Sequence, residues 1–167
     1  MNHVFHRVLG DEMPVAVQGD GVFIIDRDGK RYIDASGGAA VSCLGHSDAD
    51  VRRAIIDQTE KLSFAHTAFF TTEVAEELAE HLISSAPAGL DRVFYVSGGS
   101  EAVEVCLKLA RQYFFETGEL ERRHIIARRQ SYHGITLGAL SAGGHVWRSE
   151  PFEPMLFQAH HIAPCYS

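Results

Sequence analysis

Two short apolar runs, residues 22–26 and 31–34, flank the polar quartet Arg27-Asp28-Gly29-Lys30, so the stretch GDGVFIIDRDGKRYID predicts a β-hairpin with an Asp-Gly turn. Residues 1–14 before it show no period and end at Pro14. After it, ASGGAAVSCLGH is rich in small residues and equally aperiodic. Ser47-Asp48-Ala49-Asp50 then matches a helix N-terminus. Val51, Ala54, Ile55 and Leu62 recur at helical spacing and predict one buried face. The aromatic stretch SFAHTAFFTT, residues 63–72, breaks the period and reads as a loop. Thr72 can cap a second helix whose first turn carries Glu73, Glu76 and Glu77, at the positive end of the helix dipole. Val74, Leu78 and Leu82 mark its buried side, and Pro87 with Gly89 stops it.

From there the pattern alternates. Residues 92–96 predict a short strand and residues 100–115 a helix buried along Val103, Cys106, Leu107, Ala110 and Phe114, with Glu104 and Lys108 paired on its outer side. Residues 124–128 predict another strand, residues 134–141 another helical stretch, and residues 160–163 a possible third strand. Strands alternating with helices of this length imply an α/β fold with a doubly wound, mainly parallel sheet. So few strands leave such a sheet incomplete. The expectation is the front part of a longer protein, exposed at a sheet edge and prone to aggregate on its own.

Composition narrows the classes. A net charge of −7, from 15 basic and 22 acidic residues, argues against a nucleic-acid surface. The basic cluster Arg122, Arg123, Arg128 and Arg129 straddles a short apolar run and reads as solvated strand ends. Cys43, Cys106 and Cys165 have neither disulfide nor metal spacing, which fits free thiols in a reducing, cytoplasmic compartment. The first fourteen residues hold no signal-peptide core, and no run reaches membrane-spanning length.

The candidate chemistry lies in Ser97-Gly98-Gly99-Ser100, between a predicted strand and a helix. Ligands of open α/β sheets sit at the carboxyl ends of the strands. A helix N-terminus there offers backbone N–H groups to an anion, glycines let the backbone approach it, and Ser100 adds a hydroxyl. The turn is neither a Walker loop nor a GxGxxG site. Gly98-Gly99-Ser100-Glu101-Ala102 also approximates a G-x-S-x-G nucleophile elbow, although no oxyanion loop precedes it and no triad acid and histidine can be assigned. A phosphate site, a hydrolase nucleophile and a serine that merely caps a helix all remain open on the pattern. SYHG, residues 131–134, follows the next predicted strand and brings an aromatic ring, Tyr132, to the same edge. An anion site beside a flat ring suits a planar phosphorylated cofactor.

These stretches carry a resemblance. GDGVFIIDRDGKRYIDASGG, Leu44-Gly45-His46, FYVSGGSEAVEVCLKLARQYF and RRQSYHGITLGALSAGG resemble, in order and spacing, the N-terminal part of a class III (ornithine/ω-amino acid type) pyridoxal-phosphate aminotransferase of fold type I. The glycine of SGGSEA departs from the Asn-Ser-Gly-Ser of many such proteins. The resemblance implies that Gly99 and Ser100 bind the cofactor phosphate, that Tyr132 stacks on its ring, and that His133 and Gly134 complete the loop. It implies residues 1–47 as a segment contributing to the small domain and residues 48–167 as part of the cofactor-binding large domain. It further implies amino-group transfer from an amine or ω-amino acid to a 2-oxo acid, with a racemase or decarboxylase of the same class as the alternative. Homodimers with shared active sites follow too, with residues 64–72 at the interface and no nucleic-acid or membrane partner. The family's Schiff-base lysine and pyridine-binding aspartate belong to later segments. None of Lys30, Lys61 and Lys108 matches that lysine, so no catalytic residue is assigned here and the 167 residues alone are expected to be inactive.

Overall fold

Strand β1 (Ala16–Asp20) opens a three-stranded antiparallel meander with β2 (Phe23–Asp26) and β3 (Arg31–Ile33), in the order β1-β2-β3. The computed structural model describes residues 3–7, 10 and 12–166. The expected hairpin is present, with Phe23 opposite Ile33 and Ile25 opposite Arg31. Strand β1 was not expected from the pattern; it pairs Asp20 with Phe23 and Ala16 with Asp26, with an irregularity between Ala16 and Gln18. Its mixed sequence, AVQGD, shows no alternation of apolar and polar positions, which hides it from a hydrophobicity reading.

The turn between β2 and β3 is organised by one carboxylate. Asp26 accepts the N–H groups of Asp28 and Lys30 and the hydroxyl of Tyr32. A second carboxylate, Asp34, gathers the segment after the hairpin. It accepts from Ser36 Oγ, the Gly37 N–H, Ser42 Oγ at 2.8 Å and His46 Nε2 at 2.9 Å. Between them runs a short helical turn, α1 (Gly37–Ala40), which turns left-handed through Gly38 and Ala39. The LGH stretch then folds back on the β1–β2 turn. The His46 N–H donates to the Gly21 carbonyl and the Gly21 N–H to Ser47 Oγ. Gly45 has φ +77°, and a Cβ there would lie 2.6 Å from the Gly21 carbonyl oxygen, so only glycine allows this approach.

Helix α2 (Ala49–Lys61) begins within the Ser47–Asp50 stretch that marked a helix start, with Asp48 as the cap whose side chain accepts the Val51 N–H. Residues 63–72 form the expected loop. Thr72 Oγ1 accepts the Ala75 N–H at the start of α3 (Glu73–Ser85). The chain divides into two compact units, Met1–Glu76 and Glu77–Ser167, with the boundary inside α3.

In the second unit, helix α4 (Gly99–Glu116) leads to β4 (Ile126–Arg128), and β4 pairs in parallel with β5 (His160–Ile162). The third strand expected near residue 160 is therefore real. The connection carries α5 (Leu137–Ala142), α6 (Val146–Ser149) and a 3₁₀ turn (Glu150–Met155), the last two unforeseen in the sequence. The core sits at α5 and β4, on Ala127, Ala139, Leu140 and Ala142. Ser141, also buried, donates to the Leu137 carbonyl and accepts the Phe157 N–H, so its hydroxyl is satisfied as both donor and acceptor.

Three expectations are corrected. Residues 92–96 are not assigned as a strand, and Phe94 is 76% exposed rather than buried in a sheet. The predicted buried faces of α2 and α3 are not buried either. Val51, Ile55, Val74, Leu78 and Leu82 are all exposed, since no described element covers them, and on α4 Cys106 and Ala110 are likewise exposed. Finally, Glu104 forms no ion pair with Lys108, for reasons that belong to the site.

Candidate functional site

Helix α4 starts at the SGGS turn. Gly98 is the capping residue, with extended backbone and no side-chain cap bond, so Ser100 is not the cap that one reading of the sequence proposed. Ser100 stands inside the first turn. Among the described residues, nothing accepts the N–H groups of Gly99, Ser100 and Glu101. The first bond of the helix runs from the Ala102 N–H to the Gly98 carbonyl. Glu101 reaches back so that Oε2 accepts the Ser97 N–H at 2.8 Å. The positive end of α4 thus presents unclaimed donors, and a Cβ at Gly98 or Gly99 would meet nothing within 4 Å. The glycines leave open space above the donors.

The second loop is locked to this turn. Ser100 Oγ accepts the Ile135 N–H at 3.0 Å. That bond uses a lone pair of the hydroxyl and leaves its hydrogen to donate elsewhere. Among the described residues, no histidine ring bonds to Ser100, as a hydrolase nucleophile would require. Gly134 is buried with φ +128°, and a Cβ on it would fall 2.5 Å from Ser100 Oγ and 2.8 Å from Ser100 Cα. Any other residue would push the two loops apart. Of the five residues singled out in the sequence, Gly99, Ser100 and Gly134 therefore come together. Tyr132 stands exposed two residues before Gly134, with the guanidinium carbon of Arg148 5.2 Å from its ring centre. The half-buried ring of His133 makes no hydrogen bond to the turn.

Glu104 ties the assembly from below. Its Oε1 accepts the N–H groups of Gly138 at 2.7 Å and Ala139 at 3.2 Å, which are free donors in the first turn of α5. The neighbouring Thr136 hydroxyl, then the Ala139 and Gly138 N–H groups, and last the charge of Lys108 hold this carboxyl below its ordinary range, against the opposing effect of burial. Thr136 Oγ1 also lies 3.5 Å from the Ser100 carbonyl, the limit of a hydrogen bond. With one hydrogen to give, it favours the charged oxygen. The helical spacing that paired Glu104 with Lys108 on the sequence is real, but the free N–H groups of α5 outcompete an exposed ammonium. Neither this role of Glu104 nor the contact of Arg148 with Tyr132 could be read from local pattern, because the partners lie far along the chain.

The model of the family described as aminotransferase class III matches residues 8–166. An uncharacterised aminotransferase of Schizosaccharomyces pombe is 43% identical over 166 residues, covering 99% of this chain and 36% of that protein. Among solved structures, the adenosylmethionine-8-amino-7-oxononanoate aminotransferase of Methanocaldococcus jannaschii superposes with a TM-score of 0.91 at 31% identity, over 98% of this chain and 39% of its own. The omega transaminase of Pseudomonas jessenii, solved in complex with PMP, gives 0.86 at 29% identity, over 91% and 34%. The chain thus spans about a third of the length of the curated relatives it matches. Its fold is the expected α/β one, part of the fold type I large domain preceded by a hairpin. Matched by the family model along nearly all its length, this chain belongs to the class III aminotransferases.

Proposed function

We propose that the turn at Gly99 and Ser100 and the loop at Tyr132, His133 and Gly134 together bind pyridoxal 5'-phosphate. We propose also that the whole enzyme, of which this chain is the N-terminal part, transfers an amino group from an amine or ω-amino acid to a 2-oxo acid. The observation that carries the reading is the interlock of the two loops through Ser100 and Gly134, with unclaimed donors on one side and an exposed aromatic ring on the other. The Gly99 and Ser100 N–H groups and the free hydroxyl hydrogen of Ser100 suit a dianionic phosphate. Tyr132 offers its ring to a pyridine face, and His133 borders it. When bound, the cofactor supplies the aldehyde that takes up the amino group and the ring that disperses negative charge. The residues of this chain hold and orient it; the lysine and aspartate that the family uses are expected in a later segment.

Several further properties belong to the same reading. Residues 1–47 would contribute to the small domain and residues 48–167 to the large one. A homodimer would cover the exposed rings of Phe64, Phe69 and Phe70 in residues 64–72. Three exposed, unbridged cysteines are compatible with the cytoplasm. The test is titration of the full-length protein with pyridoxal phosphate, comparing Tyr132→Ala and Tyr132→Phe. Stacking contributes about 1 kcal/mol beyond buried area, so Ala should lose several-fold in affinity and Phe little. Equal affinities for Ala and Phe would remove the ring from the site. An amine screen on the same protein would then identify the donor.

A further inference from the structure

Arg148 lies over the ring of Tyr132, and its environment is unusual for an exposed arginine. It enters none of the ion pairs among the described residues. Instead its guanidinium carbon lies 4.3 Å from the ring centre of Trp147 and 5.2 Å from that of Tyr132, both within cation–π range. The placement is built by the backbone. Gly144 is fastened beside the Tyr132 loop by two hydrogen bonds, from its N–H to the Ser131 carbonyl at 2.9 Å and from the Gln130 N–H to its own carbonyl at 3.0 Å. Helix α6 starts immediately afterwards, with the Arg148 N–H on the His145 carbonyl. Arg148 is the third residue of this helix, so its side chain stays close to the pinned Gly144 and reaches the neighbouring ring.

We propose that Arg148 is a positioning residue for Tyr132: its guanidinium covers one face of the ring and commits the other face to a planar ligand. The inference rests on the stacking reading of Tyr132 given above. An exposed tyrosine ring is free to turn about two torsions. A cation on one face restricts that motion without occupying the opposite face. It also enriches the specificity of the site, because a ring held in one orientation favours a flat ligand over a bare anion.

The test uses the full-length enzyme and two probes, pyridoxal phosphate and inorganic phosphate. Arg148→Met keeps the side-chain length and removes the charge. It should weaken pyridoxal-phosphate binding about two- to fivefold while inorganic phosphate binds as before. Arg148→Lys should recover part of the loss. In a Tyr132→Ala background, Arg148→Met should add nothing. An equal loss in that background, or a parallel loss for inorganic phosphate, would make Arg148 a general source of positive charge and overturn the proposal, as would no loss at all. If Tyr132→Ala weakens binding and Arg148→Met does not, this inference alone falls. If Tyr132→Ala binds like the wild type, the stacking reading itself falls.

Discussion

The two units are each organised around carboxylates, but the carboxylates reach very different distances along the chain. Asp26 binds groups two to six residues away, and Asp34 groups two to twelve away. Glu104 binds N–H groups 34 and 35 residues away, and Ser100 one 35 away. The carboxylate-centred turns of the first unit therefore close locally, and the contact of Gly21 with His46 and Ser47 is its longer-range tie. The second is assembled from segments that must find one another, and these segments carry the candidate site. A site built by long-range contacts can hold two loops at fixed separation, which a hairpin turn cannot do for a ligand between elements.

The largest effects should come from two glycines that combine close approach with a positive φ, one in each unit. Gly45→Ala and Gly134→Ala each force a left-handed backbone and a clash, for about 2–4 kcal/mol in thermal unfolding. Only Gly134→Ala should also weaken pyridoxal-phosphate binding in the full-length protein. Equal cofactor affinity in both variants would erase the functional difference between the units.

Glu104 gives a smaller, sharper effect. Glu104→Ala strands two N–H groups of α5 and should cost about 1–2 kcal/mol. Glu104→Gln keeps an accepting oxygen and should cost less than about 1 kcal/mol. Both are read by denaturant titration. Were Gln as harmful as Ala, the charge would matter more than the capping geometry.

Acid should act on both units. The Tyr32 hydroxyl, with the Lys30 and Asp28 N–H groups, holds Asp26 below its ordinary value of 3.8. The Ser42 hydroxyl, then His46, Ser36 and the Gly37 N–H, does the same for Asp34. Glu104 lies below its ordinary 4.5. Because each folded-state value is depressed, the stability it contributes is complete above the ordinary value and is lost as pH falls through the lower folded one. Unfolding should therefore set in below about pH 4, and Glu104→Gln should remove the part that belongs to the second unit. A pH dependence unchanged by that substitution would contradict the assignment. The smallest effect is expected of Lys108→Ala, within about 0.5 kcal/mol, since Lys108 adds only the last and weakest influence on Glu104.

The same contrast explains what the sequence revealed. The Asp-Gly hairpin, the helix start within Ser47–Asp50 and the Thr72 cap depend on neighbours a few residues away, and each appears where the pattern put it. Ser100 and Tyr132 could be chosen because both were expected at strand-to-helix turns on one sheet edge; the strand before Ser100 is not formed, and the linkage of the two loops through Ile135 and Gly134 required the fold. The Glu104–Lys108 pairing misled because helical spacing says which residues are adjacent and not which acceptor a buried N–H needs more. The faces of α2 and α3 misled for a related reason. Their periodicity is sound, yet burial requires a second surface, and the chain leaves 14,240 Å² accessible where a folded monomer of its mass exposes about 8,200 Å². Purified alone, the 167 residues should elute as aggregates and bind a hydrophobic dye. A monomeric peak with cooperative melting would show that the exposed faces find partners within the chain.

The most direct test of the joint site is Gly99→Val in the full-length enzyme. A Cβ at this position meets nothing in the chain, so the melting temperature should stay within a degree or two of the wild type. The branched side chain would nevertheless stand over the free N–H groups of α4. Pyridoxal-phosphate affinity should fall about tenfold or more, the loss of at least one charge-assisted hydrogen bond. Wild-type affinity in a folded Gly99→Val protein would contradict a cofactor phosphate at this turn.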